Sequence, residues 1–203
     1  GVSLPLGIAV AWVLVRIPFP GRILLDGIVH LPLIVPPVVV GYLLLVVMGR
    51  RGLVGAWLWD TFQISIAFSL QGAAAAAGIM AFPLLVRSIR QGLEAVDLKV
   101  EQAARTLGAR PLAVFVTVTL PLIVPGILTG AILAFARCLG EFGATITFVS
   151  NIPGETQTLP LALYTAVQSP GGEAAALRLV MISVVLALGA LLASEYLTRR
   201  TRK

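Results

Sequence analysis

The chain has 203 residues, of which 58% are hydrophobic and 12% are charged, and its formal net charge is +6. Soluble globular domains carry about 25% charged residues, so this composition excludes an ordinary soluble domain and indicates a membrane protein. The single cysteine, Cys138, excludes an internal disulfide framework and any multi-cysteine metal site.

Long stretches without charged residues predict the membrane spans, since a helix needs about 20 mostly apolar residues to cross the hydrocarbon core. No Asp, Glu, Lys or Arg occurs in four such stretches, 28–48, 61–86, 111–136 and 179–194. We therefore predict an all-α, polytopic membrane protein with about five transmembrane helices. Their expected positions are 1–15, 28–48, 63–86, 113–138 and 174–195.

Two stretches differ from a complete span. Residues 1–15 are too few, and residue 1 is glycine instead of an initiator methionine, so we expect that the N-terminal part of the first span is missing. Removal of a signal peptide is the alternative. Residues 142–172 are moderately apolar but are interrupted by NIPGE and SPGG, which predicts a re-entrant or short-helical segment.

Three prolines near the start of the second predicted span leave two interpretations open. Pro32, Pro36 and Pro37 lie in the sequence LPLIVPPVVVGY. Proline within a membrane helix is tolerated where neighbours satisfy the freed carbonyls, so a bent helix that lines a pathway is one interpretation. The other is a helix that begins after Pro37.

The basic residues are distributed unequally between the two sides of the membrane. If the predicted spans alternate, eleven of the fifteen lie on one side: Arg16, Arg22, Arg87, Arg90, Lys99, Arg105, Arg110, Arg199, Arg200, Arg202 and Lys203. Cytoplasmic loops carry such an excess, so the loop around 101–111 and the C-terminus are predicted to be cytoplasmic. This distribution accounts for the net positive charge of the chain, so binding to nucleic acid is not needed to explain it.

The loop sequence RSIRQGLEAVDLKVEQAARTLGARP, residues 87–111, has apolar residues at intervals of three and four. This spacing predicts one or two short amphipathic helices in the region of about 88–112, with Gly108 placed to end the second. Periodicity alone is equally compatible with a helix lying on lipid headgroups. The small residues Ala103, Ala104 and Gly108 favour close contact with another protein.

This loop resembles the signature of the permease subunits of bacterial ABC importers, which is E-A-A, three residues, G, nine residues, I-x-L-P. The chain has Gln102-Ala103-Ala104, then Gly108, then Val118-Thr119-Leu120-Pro121 at that spacing. It departs from the family in Gln for the first Glu, with Glu101 adjacent, and in Val for Ile. The resemblance implies a coupling helix that docks on an ATP-hydrolysing subunit. The residues it implicates are Glu101, Gln102, Ala103, Ala104, Gly108, Leu120 and Pro121.

Other segments resemble the molybdate importer permeases, above all ARCLGEFGATITFVSNIPGETQTLPLALY, and the likeness covers nearly the whole chain. It implies the type I importer permease fold in one transmembrane domain, 1–203, and the import of molybdate and also tungstate. Sulfate and thiosulfate permeases share parts of LGEFG and NIPG, so a sulfate or thiosulfate permease is the alternative. The expected location is the bacterial inner membrane, in contact with lipid.

The same resemblance implies the partners of this chain. They are a second copy of the chain, two ATP-binding subunits on the cytoplasmic side, and a periplasmic or surface molybdate-binding protein. No G-x-x-x-x-G-K-[ST] phosphate loop occurs in the sequence, so ATP and Mg²⁺ are expected on the partner subunit. We therefore expect a permease that is not an enzyme and holds no cofactor.

A polar group near the end of the fourth predicted span supplies candidates for the translocation pathway. Arg137 and Glu141 are four residues apart and can meet on one helical face, and Thr145 and Asn151 follow them. Arg137 could give a passing dianion a positive field. The alternative is a structural ion pair at a span end, which would offset the cost of about 2.5–3.5 kcal/mol for a lone charge at membrane depth.

Other functional classes fit the sequence less well. An ion-coupled carrier usually has carboxylates within its spans, and Glu141 is the one candidate. A channel would not need an ATPase-docking loop. A membrane enzyme or a metal site would need a group of reactive side chains around His30 or Cys138, and the sequence offers none, so we predict no catalytic and no metal-binding residues.

Overall fold

A computed structural model describes residues 2–201, so that Arg202 and Lys203, counted above as cytoplasmic, lie outside the described residues. Within 2–201 the regular elements are all helical. They are α1 (Ser3–Arg16), α2 (Arg22–Ile34), α3 (Pro37–Met48), α4 (Leu53–Phe62), α5 (Leu70–Glu94), α6 (Leu98–Thr106), α7 (Pro111–Val114), a π-helical turn (Phe115–Thr119), α8 (Leu120–Leu139), α9 (Gly143–Val149), α10 (Leu159–Gln168) and α11 (Glu173–Thr201). The predicted all-α fold class is confirmed.

Three helical stretches of the described chain are long and apolar enough to cross a membrane: Leu70–Glu94, Pro111–Leu139 and Glu173–Ala193. A fourth is counted if α2 and α3, which are bent by 115° at their junction, form one broken span. Ser3–Arg16 and Leu159–Gln168 are shorter apolar helices. This number agrees roughly with the five spans that the sequence predicts.

The predicted span at 28–48 is not one straight helix, because α2 ends at Ile34, α3 begins at Pro37, and the two are bent by 115° at this break. Pro36 has extended backbone angles, φ −52° and ψ 135°, as expected for a residue that precedes another proline. Pro32, by contrast, lies inside α2. The structure thus combines features of both interpretations: a helix begins at Pro37, and it is bent by 115° relative to the helix before it.

The predicted span at 63–86 is displaced along the chain. Helix α5 begins at Leu70, where the Ser69 hydroxyl accepts a hydrogen bond of 3.1 Å from the Gly72 N–H, as an N-cap residue does. The helix continues past Arg87 to Glu94 and contains Pro83 and Gly92, because the apolar residues Val86, Ile89 and Leu93 continue at helical spacing and are buried. The predicted short-helical segment at 142–172 is confirmed by α9 and α10.

The chain divides into two units, each with its own apolar core. The first comprises the described parts of 1–29, 82–134 and 190–203, and its core is centred on Leu14, Leu85, Ile89, Leu93 and Ile123. Within it α5 and α8 approach closely: Ser88 donates a hydrogen bond of 2.9 Å to the Gly126 carbonyl.

The second unit comprises 30–81 and 135–189, and α3 packs there against α9. The packing depends on Gly41, because a Cβ at this position would lie 2.5 Å from the Ala144 carbonyl oxygen. Ala73, Ala76 and Phe148 complete the buried core around this contact. Small residues in facing helices allow such close approach in membranes.

Replacement of Gly41 by alanine should destabilise the protein, because its Cβ would also lie 2.9 Å from Thr147 Cβ. Overpacking of this kind costs about 1–3 kcal/mol. The apparent melting temperature of the purified protein in detergent, followed by circular dichroism, should fall. Gly27→Ala is the matched control, since nothing lies within 4 Å of a Cβ there. Equal melting temperatures for the two variants would contradict the close α3–α9 packing.

Candidate functional site

Helix α6, the predicted coupling helix, has a defined beginning and end. The Asp97 carboxylate accepts a hydrogen bond of 2.9 Å from the Lys99 N–H and so acts as N-cap. At the other end Gly108 has a left-handed backbone conformation with φ +87°. Two hydrogen bonds form a Schellman motif there: the Ala109 N–H donates to the Ala104 carbonyl at 3.2 Å (6→1), and the Gly108 N–H donates to the Arg105 carbonyl at 2.9 Å (5→2). The prediction that Gly108 ends this helix is confirmed.

The inner face of α6 is fixed by the carboxylate of Glu101, which is only 4% exposed. Its Oε1 lies 2.7 Å from Nη2 of Arg16, at the end of α1, and accepts a hydrogen bond of 2.9 Å from the Thr119 hydroxyl. Thr119 is fully buried. We call this group of Arg16, Glu101 and Thr119 the Glu101 anchor. It connects α1, α6 and the π-helical turn.

Aromatic residues surround the Glu101 anchor. The Arg16 guanidinium carbon lies 5.8 Å from the Trp12 ring centroid, and Trp12 meets Phe115 edge-to-face with centroids 4.9 Å apart. Phe115 begins the π-helical turn that ends at Thr119. A π-helical turn inside a long helix is frequently found at functional sites, because it shifts the side chains that follow it. Here it places Thr119 against Glu101.

The remaining residues of the predicted coupling set separate into an exposed and a packed group. Gln102, Ala103 and Gly108 are exposed, and Ala104 is partly buried. Leu120 packs against the core of the first unit, and Pro121 lies in the first turn of α8. The sequence analysis did not single out Arg16, Thr119 or Leu107, although Leu107, which is 88% exposed beside Gly108, widens the exposed surface of α6.

A second polar cluster lies where α8 ends and α9 begins. Oε2 of Glu141 is 2.8 Å from Nη1 of Arg137, and Oε1 accepts a hydrogen bond of 2.9 Å from the Ala144 N–H in the first turn of α9. The Arg137 contact is ionic, because Oε2 has no directed hydrogen bond. Glu141 is 2% exposed, whereas 30% of the Arg137 side chain remains accessible.

The two other predicted pathway residues are engaged in local hydrogen bonds. Thr145, which is buried, donates to the Phe142 carbonyl at 2.9 Å. Asn151 donates to the Thr165 hydroxyl at 2.8 Å and accepts from Gln157 at 3.1 Å, so it ties the 150–157 loop to α10. Glu141 and Thr145 therefore offer almost no surface to a passing ion in this conformation.

The chain is similar to known membrane transport proteins. The family model described as binding-protein-dependent transport system inner membrane component matches residues 3–203. The molybdenum transport system permease protein ModB of Escherichia coli strain K12 is 64% identical over 201 residues, which cover 99% of this chain and 88% of that protein. The sulfate transport system permease protein CysW of a Synechocystis strain is 38% identical over 209 residues, covering 98% and 73%.

A solved structure of the methionine ABC transporter MetNI in an inward-facing conformation has the same fold. Its TM-score is 0.69 at 17% identity, and the match covers 98% of this chain and 86% of that one. The chain thus has the architecture of a type I importer permease.

Removal of the Glu101 carboxylate should destabilise the first unit, since it leaves the largely buried Arg16 without its partner. Breaking a buried ion pair costs up to about 3–5 kcal/mol. We expect Glu101→Ala to lower the melting temperature in detergent and to increase proteolysis within 97–110. The neighbouring Gln102→Ala is the control, because an exposed substitution usually changes stability by about 0.5 kcal/mol or less. The prediction fails if both variants melt together.

Proposed function

This chain belongs to the family of binding-protein-dependent transport system inner membrane components, and we propose that it passes molybdate, and also tungstate, across the membrane. It is the permease subunit of an ABC importer and an integral component of the bacterial inner membrane. Such a permease works with an ATPase and a substrate-binding protein.

Molybdate is favoured over sulfate by the degree of similarity to the named permeases. The chain is 64% identical to a molybdenum permease and 38% identical to a sulfate permease. Tungstate has the same tetrahedral shape and the same double charge as molybdate, so a site that recognises these features accepts both. Sulfate and thiosulfate remain the second candidates on the same grounds of shape and charge.

The observation that carries the proposed coupling mechanism is the two-sided environment of α6. Glu101 is held inside the chain, while Ala103 and Gly108 are exposed with little side-chain bulk. Small exposed residues allow a second protein to approach the helix backbone closely. We infer that α6 faces the cytoplasm and docks on a separate ATP-hydrolysing subunit, and that Gln102, Ala104 and Leu107 contribute to the same surface.

The Glu101 anchor would transmit movement of the docked helix α6 to the membrane helices. A force applied to α6 reaches α1 through Arg16 and reaches the π-helical turn, and hence α8, through Thr119. Leu120 and Pro121 then act as the start of the moving helix α8 and not as docking residues. Two copies of this chain with two ATPase subunits would form the working transporter, and ATP and Mg²⁺ would be bound by the ATPase.

Arg137 is the residue we assign to the translocation pathway. Of the polar cluster at the α8–α9 junction, its side chain is charged and partly accessible, whereas Glu141 and Thr145 are buried. Glu141 positions Arg137 and, through the Ala144 N–H, also caps α9. Asn151 supports the loop that follows. A partly exposed guanidinium attracts a tetrahedral dianion without binding it so tightly that release stops.

A bulky residue at position 103 should block coupling without unfolding the chain, since Ala103 is exposed. For Ala103→Trp we expect uptake of molybdate, and ATP hydrolysis stimulated by the loaded binding protein, to fall at least about ten-fold, the effect of 1.4 kcal/mol of lost docking free energy. The assay uses vesicles that contain the complete transporter. Ala103→Ser, which stays small, should retain both activities; a similar loss in this variant, or normal uptake by Ala103→Trp, would refute docking through α6.

The role of Arg137 can be separated from that of its ion pair by a double substitution. Arg137→Gln alone leaves the buried Glu141 carboxylate uncompensated, so both stability and uptake should fall. Arg137→Gln/Glu141→Gln removes both charges and keeps an oxygen to cap α9, so the melting temperature should recover. If Arg137 serves the passing oxyanion, uptake should stay low in the double variant. If the double variant recovers both uptake and stability, the Arg137–Glu141 pair has only a structural role.

A further inference from the structure

A cavity of about 680 Å³ lies within the second unit, beside the turn that joins α3 to α4. Its apolar wall includes Leu45, Val46 and Phe68, and its polar lining includes Arg50, Arg51 and Ser65. We call it the Arg50–Arg51 cavity. It contains none of the residues of the Glu101 anchor or of the Arg137 cluster, so its basic lining calls for a separate explanation.

The turn that carries the two arginines is held rigidly by its glycines. Gly49 follows α3, Gly52 precedes α4, and the Gly52 N–H donates a hydrogen bond of 2.8 Å to the Gly49 carbonyl. A Cβ on Gly49 would collide with the Leu45 carbonyl oxygen, and one on Gly52 with the Val46 carbonyl oxygen. This close backbone packing fixes the points at which both arginine side chains leave the turn.

Within the described residues, the two guanidinium groups keep their positive charge uncompensated by an ion pair. The Arg50 guanidinium carbon lies 4.2 Å from the Trp59 ring centroid, a cation–π contact that orients the group and leaves its N–H donors available. Among residues 2–201 no carboxylate forms an ion pair with Arg50 or Arg51. Two positive charges therefore border one cavity, which creates a favourable potential for an anion.

We propose that the Arg50–Arg51 cavity is a weak receiving site for a tetrahedral, doubly charged oxyanion before it enters the pathway. The inference rests on the proposed function, and on the predicted topology, which places the 49–52 turn on the side opposite to α6. Guanidinium groups match the oxygen spacing of such ions. The volume admits the ion with part of its hydration shell, and solvent-exposed charge pairs bind weakly, as onward movement requires.

Trp59 provides a direct reporter of binding, because an anion drawn to Arg50 alters the environment of the indole. The complete transporter in detergent is titrated with tungstate, and tryptophan fluorescence is recorded. We expect a saturable change in the wild type that is lost in Arg50→Gln/Arg51→Gln. Arg178→Gln is the matched control, since it removes an exposed arginine that does not line the cavity. An unchanged titration in the double variant, or no response in the wild type, overturns the proposal.

Transport measurements provide the second readout. In vesicles, Arg51→Gln should raise the concentration of loaded binding protein needed for half-maximal uptake by roughly two- to five-fold, the range for an exposed ion pair, with maximal ATP hydrolysis unchanged. Arg51→Lys should restore part of the loss. If Arg51→Gln and Arg178→Gln behave alike while the wild type imports molybdate, the receiving site is refuted and the proposed function stands. If the wild type imports no oxyanion, the receiving site and the proposed function are both refuted.

A lipid phosphate offers the same chemistry as a free oxyanion, so the fluorescence titration is repeated in lipid nanodiscs with and without phosphatidylglycerol. For a receiving site the tungstate response should have the same half-saturation in both preparations. Loss of the response in phosphatidylglycerol, with recovery at higher tungstate, would assign the cavity to a lipid headgroup and overturn the proposal.

Discussion

A carboxylate inside a largely apolar membrane protein must have a positive partner, and in this chain that constraint determines where the helices meet. Glu101 is paired with Arg16 across 85 residues of sequence, Asp26 with Arg90 across 64, and Glu141 with Arg137 across a single helical turn. The Glu101 and Glu141 carboxylates are buried, whereas Asp26 is partly exposed and shares Arg90 with Glu94. Leaving a buried charge without its partner costs about 3–5 kcal/mol, so the buried Glu101 and Glu141 disfavour helix arrangements that would separate them from Arg16 and Arg137.

Small residues supply the other requirement, which is close approach of the helices that carry these charges. The α3–α9 contact at Gly41 places α9 where Glu141 can cap it, and the α5–α8 contact at Gly126 allows Ser88 to reach a backbone carbonyl. Because lipid is as apolar as leucine, packing of this kind replaces the hydrophobic effect as the force between membrane helices. The charges select which helices pair, and the glycines determine how near they come.

The sequence predicts local features well, because their causes lie within a few residues. Gly108 ends α6 in a Schellman motif that its position after an amphipathic stretch indicates, and the uncharged stretches identify the long spans. Hydropathy places an apolar span at 28–48 but does not give the 115° break within it, because hydropathy is insensitive to the backbone restriction that two consecutive prolines impose. The Arg16–Glu101 pair could not be foreseen at all. Arg16 looks like an ordinary basic residue after an apolar helix, and its partner is distant in sequence.

The burial of Glu101 also explains the departure from the family signature at the adjacent position. Successive residues of an α-helix are rotated by about 100°, so Glu101 and Gln102 cannot share an environment. Glu101 is 4% exposed and paired with Arg16, whereas Gln102 is exposed. A negative charge at position 102 is therefore not needed to hold α6 in the chain, and a neutral amide there still offers a donor and an acceptor to a docking partner. In the proposed mechanism, anchoring and docking are thus assigned to neighbouring residues on different faces of one short helix.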